Sequence, residues 1–180
     1  MSELKIDASW TLFLDRDGVI NERNFEGYIT SVEDFNFLPY AKEGLKELAK
    51  QFSRIIVVTN QQGVGKGSMS LAALEEIHHY MTSSLLSENV SIDHVFFASN
   101  LRGAQKDRRK PNSAMALEAK EMFPEIDFSK SVMVGDTASD LKFGMNLAMK
   151  TVLIHSAEKV DIKPDIKVNN LKEFADVLKS

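Results

Sequence analysis

Apolar residues gather in five short runs along the chain: Trp10–Leu14, Arg54–Thr59, Ile92–Ala98, Ser131–Gly135 and Lys150–Ile154. Each run is rich in β-branched or aromatic side chains, and none alternates with polar ones. That is the pattern of strands buried on both faces. Between the runs, apolar residues recur at helical spacing. Ala41–Phe52 places Leu45, Leu48 and Phe52 on one face, and Leu71–Leu86 does the same with Leu74, Ile77, Met81 and Leu85. Shorter helices are predicted over Pro111–Phe123 and Thr137–Leu147, and a last one over Leu171–Leu178 after an extended piece at Asp165–Val168. Strands alternating with helices predict an α/β fold, a Rossmann-like parallel sheet with helices on both faces. No repeat, low-complexity tract or linker interrupts the pattern, so residues 1–180 read as a single domain. The longest irregular stretch is Asp15–Tyr40, and a loop of that length in a compact domain usually carries function.

Composition excludes several classes of protein. Hydrophobic residues make up 43% and charged residues 27%, the balance of a soluble globular chain. A net charge of −4 argues against general nucleic-acid binding. The absence of cysteine removes disulfides, thiolate chemistry and any zinc site built on cysteine. The start of the chain lacks the apolar segment of a signal peptide, and no apolar run approaches the roughly 20 residues of a membrane helix. The expected location is therefore the cytoplasm, with no membrane partner.

In open parallel sheets, ligands bind beyond the carboxyl ends of the strands. After the first run comes Asp15-Arg16-Asp17-Gly18, and after the second Thr59-Asn60-Gln61-Gln62-Gly63. After the third comes a basic loop ending in Arg109-Lys110-Pro111, and after the fourth Asp136 and then Asp140. Carboxylates, a hydroxyl, an amide and an ammonium thus converge on one rim, and each has a use in phosphoryl transfer. Asp15 and Asp17 lie where a strand ends and the chain turns at Gly18, so both can face one cavity. One can act as nucleophile, while the other protonates a leaving alcohol and later activates water. Carboxylates so close call for a hard cation, and Mg²⁺ suits a site of few carboxylates plus a substrate phosphate. Taken singly, each residue has a plainer reading. Asp136 could cap the following helix, Asp140 could be a first-turn acid, Thr59 a strand residue and Lys110 a surface lysine.

Together these segments resemble the four motifs of the haloacid dehalogenase superfamily: Asp15-Arg16-Asp17-Gly18-Val19-Ile20-Asn21, Thr59-Asn60, Lys110-Pro111 and Gly135-Asp136 through Asp140. Gly27-Tyr28-Ile29, Phe35-Asn36-Phe37-Leu38, Arg109-Lys110-Pro111 and Asn60 through Gly67 are most similar to the heptose-bisphosphate and histidinol-phosphate phosphatases. The resemblance implies Asp15 as nucleophile and Asp17 as general acid/base, with Thr59, Asn60 and Lys110 at the phosphate. It implies Mg²⁺ held by Asp15, the backbone carbonyl of Asp17, and Asp136, with Asp140 acting at second hand. Arg109 would reach the part of the substrate that does not react. The substrate so implied is a small phosphorylated metabolite, first D-glycero-D-manno-heptose 1,7-bisphosphate and in the alternative histidinol phosphate. A phospho-receiver domain and a non-catalytic binding module are the readings from other classes.

The family's structural zinc loop is not matched. Its ligand positions fall on Ala98, Asn100, Lys106 and Arg108, so no zinc is expected and packing must shape that loop. Residues 18–58 and 61–109 leave no room for an inserted lid, which predicts a capless fold and an open site. Its walls would be the loops 21–38 and 100–110, with water excluded by those loops, by the substrate or by a second subunit of a homo-oligomer.

Other features carry less. Gly63-Val64-Gly65-Lys66-Gly67 lacks the first glycine and the final hydroxyl of a P-loop, and reads as a turn into the helix at Ser70. His78 and His79 are adjacent, lack the i, i+4 spacing of a metal pair, and read as surface residues. His155 lies near a strand end and could fringe the site. The eight methionines read as core filling. Phe25 and Tyr28 either wall the pocket or anchor the first loop.

Overall fold

A computed structural model describes residues 5–179, so Met1 among the eight methionines lies outside the described residues. Six strands form one parallel sheet: β1 (Thr11–Leu14), β2 (Arg54–Asn60), β3 (His94–Ala98), β4 (Ser131–Gly135), β5 (Lys150–Ile154) and β6 (Ile166–Val168). Their spatial order is β3-β2-β1-β4-β5-β6, and every neighbouring pair is parallel. The extended piece before the last helix is thus a sixth strand, paired to β5 through Ile154 and Val168. Its short, mixed sequence carries too few apolar residues to read as a buried strand.

The helices are α1 (Ala41–Leu48), α2 (Gln62–Gly65), α3 (Leu71–Leu86), α4 (Ala114–Met122), α5 (Ala138–Asn146) and α6 (Leu171–Val177). Strand alternation divides the core in two. Leu12, Leu14, Ile55, Val57, Val132 and Val134 pack with Leu45 and Leu48 of α1, Ile77, Met81 and Leu85 of α3, and Phe174 of α6. Phe13, Ile56, Val58 and Met133 face the opposite side, against Met115 and Ala119 of α4 and Phe143 of α5. Both faces of every central strand are covered, which is why the strand sequences do not alternate. Among the methionines, Met69, Met81, Met115, Met133 and Met149 are buried, but Met122 and Met145 are exposed and fill no core.

The long first loop is an ordered one. Ile20 and Asn21 return their amides to the Arg16 carbonyl, Glu22 N–H donates to Asn36 O and Leu38 N–H to Ile20 O. Ile29 and Phe35 are buried beneath it. Between the first two strands lie only this loop and α1. Between Asn60 and Lys110 lie α2, α3, β3 and the basic loop. No inserted lid appears in either interval, and no described helix is long and apolar enough to cross a membrane.

Candidate active site

The carboxyl ends of β1, β2 and β4 open onto a cavity of about 700 Å³ lined by Asp15, Asp17, Asn60, Lys110 and Asp140, among others. Lys110 is buried at its centre. Its Nζ lies 2.8 Å from Asp15 Oδ1 and 2.6 Å from Asp140 Oδ1. Asp15, Asp136 and Asp140, all buried, each offer an oxygen within 4.8 Å of the others. Gly18 makes this crowding feasible. Its φ is +84°, and a Cβ there would lie 2.2 Å from Asp136 Oδ2.

Electrostatics follow from burial and crowding. Burial pushes Asp15 up to about 6, with the charges of Asp140 and Asp17 adding to it and Lys110 opposing. Burial and the charges of Asp15 and Asp140 push Asp136 up to about 8. Burial would lower Lys110, but Asp140 and Asp15 outweigh it and hold the ammonium above its ordinary value. Arg23, from the first loop, places Nη1 3.2 Å from Asp136 Oδ2 and 2.8 Å from Glu158 Oε2. Asp136 Oδ1 is buried with no hydrogen-bond partner among the described residues. Three converging carboxylates, one oxygen of them unpaired, fit a hard divalent cation with oxygen ligands.

Asp17 has a different environment. Its carboxylate is not part of that group. The carboxylate instead accepts from Arg16 Nη2 at 2.9 and 3.1 Å, from Asn21 Nδ2 at 2.9 Å and from Gln61 Nε2 at 2.7 Å. Burial alone would raise its pKa, but Arg16 and these hydrogen bonds outweigh it and keep the carboxyl below the ordinary value. Gln61 Nε2 also donates to Thr59 Oγ1 at 2.9 Å, so one amide ties Thr59 to Asp17.

Asn60 is spent on Lys110. Its Oδ1 accepts from Lys110 N–H at 2.9 Å and its Nδ2 donates to Lys110 O at 3.2 Å. Asp140 both caps and pairs. With Thr137 it forms a capping box at the start of α5, and its other oxygen holds Lys110. Thr137, not Asp136, is the N-cap, so the Asp136 carboxylate is not spent on α5 and is paired with Arg23 instead.

Arg109 is half-buried at the cavity wall, donating from Nη1 to Gln62 Oε1. Its loop is ordered by Asp107, which accepts from Gly103 N–H at 3.1 Å and from Arg109 N–H at 3.0 Å, and by an Arg108–Glu118 ion pair. These contacts shape a loop whose four zinc-motif positions carry Ala98, Asn100, Lys106 and Arg108. Phe25 and Tyr28 both line the cavity, with Arg23 stacked on the first and Lys66 over the second. His155 lies outside this cavity, in a neighbouring one that it lines with Asp136 and that shares Arg23 and Phe25 with the first. His79 is exposed, but His78 is buried, which corrects the surface reading of that residue. Arg16, Gln61, Arg23 and His78 are site residues that motif reading did not single out.

The family described as polynucleotide kinase 3 phosphatase matches residues 12–174. A D-glycero-alpha-D-manno-heptose-1,7-bisphosphate 7-phosphatase of Mycobacterium bovis is 39% identical over 139 residues, 77% of this chain and 73% of that protein. The Campylobacter jejuni protein of the same name is 31% identical over 93% of this chain and 95% of its own length. A D-glycero-beta-D-manno-heptose-1,7-bisphosphate 7-phosphatase of Helicobacter pylori is 32% identical over 97% and 99%. The structure of a D,D-heptose 1.7-bisphosphate phosphatase from B. bronchiseptica, complexed with magnesium and phosphate, superposes with a TM-score of 0.85 at 22% identity, covering 94% of this chain and 98% of that one. The chain therefore belongs to the haloacid dehalogenase superfamily, as a phosphatase of the family that contains the heptose-1,7-bisphosphate phosphatases.

Proposed function

We propose that this phosphatase is a Mg²⁺-dependent phosphomonoesterase that works through phosphorylation of Asp15. Its first candidate substrate is D-glycero-D-manno-heptose 1,7-bisphosphate. The observation that carries the reading is the buried group of Asp15, Asp136, Asp140 and Lys110 at the strand ends. An Asp15 oxygen attacks phosphorus, and the bond from phosphorus to the sugar oxygen breaks. Asp17 gives that oxygen a proton. Water then attacks phosphorus while Asp17 takes a proton from it, and the bond between phosphorus and Asp15 breaks to release phosphate and free Asp15. Asp17 is ionised in the resting site, and an incoming phosphate dianion beside it raises its affinity for the proton it must donate.

Lys110 holds the transferring oxygens, with its backbone fixed by Asn60. Thr59 donates to the same oxygens, oriented through Gln61. Asp15, Asp136 and the Asp17 carbonyl would hold Mg²⁺, with Asp140 beside them, and the bound ion would neutralise charge on the phosphoryl group. The cavity is also lined by Lys66, Arg102, Arg109 and Lys142. Four cations around the cavity, besides Lys110 and Arg23, suit a substrate with a second anionic group, and the names of the relatives point the same way.

The test is phosphate release with Mg²⁺ from both anomers of the heptose bisphosphate, histidinol phosphate and simple sugar monophosphates. Asp15→Asn keeps the shape but not the nucleophile, so turnover should vanish while the fold survives. Activity within about tenfold of wild type would remove Asp15 from its role. Preference for a monophosphate over both bisphosphate anomers would overturn the substrate assignment.

A further inference from the structure

Arg16, between the two acids of the first motif, is fully buried, and its side chain contacts Asp17, His78 and Phe35, not the group of Asp15, Asp136 and Asp140. The alternation of β1 explains this. Leu12 and Leu14 face the α3 side, and Arg16 follows them, while Asp15 follows Phe13 towards Lys110 and Asp140 on the α5 side. Arg16 then meets three partners. Its Nε and Nη2 edge forks onto the Asp17 carboxylate, the Phe35 ring lies 5.9 Å from its Cζ, and Nη1 lies 3.2 Å from Nε2 of His78 on α3.

A guanidinium has only donors, so His78 Nε2 must be the acceptor, and the ring is neutral with its proton on Nδ1. Burial and the Arg16 charge push His78 down to about 3, in keeping with that state. His78 is itself fixed, on a helix whose Ile77 and Met81 are fully buried, with the Phe97 ring 5.7 Å away. A planar fork that binds Asp17 through two nitrogens is restrained further when its third nitrogen is also held.

We infer that His78 is a positioning residue for the proposed general acid. By accepting from Arg16 Nη1 it locks the guanidinium in the one rotation that presents Nε and Nη2 to Asp17, and so aims the Asp17 carboxyl at the leaving oxygen. This rests on the proposed role of Asp17. Removing the acceptor leaves Arg16 to rotate towards other partners, and Asp17 loses the group that orients both its oxygens. Asn21 and Gln61 each hold one oxygen and do not fix the carboxylate plane alone.

The consequence is selective. Proton delivery matters for an alkyl leaving group and little for a nitrophenolate, which departs without a proton. The measurement is kcat/KM with Mg²⁺ on p-nitrophenyl phosphate and on an alkyl monophosphate, because kcat/KM covers the steps through departure of the leaving group. His78→Gln places an amide oxygen near the position of Nε2 and should keep both values within about threefold of wild type. His78→Asn is too short to reach Arg16, and His78→Leu has no acceptor. Both should lose on the order of tenfold or more on the alkyl substrate, part of the 10²–10⁴ that general acid catalysis supplies, and under about threefold on the aryl one. Circular dichroism and melting follow folding, and the Gln and Asn pair decides the matter if the Leu variant does not fold. Equal losses on both substrates, or a Gln variant no better than Asn, would overturn the inference. Asp17→Asn separates it from the reading beneath. If that variant shows no dependence on the leaving group, the general-acid role itself is wrong. If it does and His78→Asn does not, only the positioning role fails.

Discussion

Stability of the metal-free enzyme should fall as pH rises from about 6.5 to about 8, and this window isolates Asp136. Two carboxyls have folded values above the ordinary 3.8: Asp15 at about 6 and Asp136 at about 8, both mainly through burial. Each keeps a proton in the fold that the unfolded chain has already released. Its contribution is therefore full below 3.8 and lost as pH rises through the folded value. His78 has the opposite sign. With a folded value of about 3 against the ordinary 6.5, it makes stability rise with pH between those limits. Below 6.5 the rise from His78 offsets part of the fall from the two acids.

Above 6.5, His78 is neutral and Asp15 is ionised in both states, and of these three groups Asp136 alone still differs. One proton over about 1.5 pH units is worth about 2 kcal/mol. For a chain of this size that corresponds to about 4–8 °C in Tm. The assay is thermal or urea unfolding in chelator at pH 6.5, 7.2 and 8. Asp136→Asn should abolish the fall. So should Mg²⁺, which at a hundred times its Kd adds about 2.7 kcal/mol. Wild-type stability that is flat or rising across the window would refute the argument. So would an undiminished fall in Asp136→Asn.

Lys110→Ala should depress turnover on every substrate by about 10²–10³, the range for one electrostatic contact at a reacting centre. It should also destabilise the fold by about 3–5 kcal/mol, because Asp15 and Asp140 are left without their buried partner. Arg109→Ala should instead weaken a bisphosphate and spare an aryl phosphate; equal losses for both variants on both substrates would show the division is wrong. Gly18→Ala should cost on the order of a hundredfold in kcat/KM and weaken Mg²⁺ in a titration, since its Cβ would displace Asp136.

The sheet and most of the site's geometry follow from features visible in the chain. Strands buried on both faces read as unbroken apolar runs, and a parallel sheet then puts every strand's carboxyl end on the same rim. Asp15, Asp136 and Lys110 come together for that reason, each following the end of an apolar run. What the runs did not carry is how the neighbouring residues divide their work. Asn60 reads as a phosphate donor beside Thr59, but its amide is complementary to a peptide unit and is taken up by the backbone of Lys110. Gln61 lies beyond the strand end and reads as loop, yet its amide spans Thr59 and Asp17. Two-partner contacts of this kind depend on side-chain direction at a turn, which no periodicity records.

His78 is buried where its pairing with His79 suggests a surface residue. Comparing it only with His79 asks whether two histidines could share a metal, and the answer hides the residue's own position. On α3 it is four residues after Leu74 and seven before Leu85, so it falls within the stripe of Leu74, Ile77, Met81 and Leu85. A histidine in an apolar stripe must lose water and needs a hydrogen-bond partner. The partner was also legible, because carrying the alternation of β1 past Leu14 sends Arg16 to the same side of the sheet. Two buried polar residues, 62 positions apart in sequence, face one layer, and each supplies what the other lacks. Arg16 needs an acceptor for Nη1, and His78 needs a donor for Nε2. A charge in an apolar layer persists only where its donors are matched, so the burial of Arg16 is itself the sign that the first motif extends across to the helix behind it.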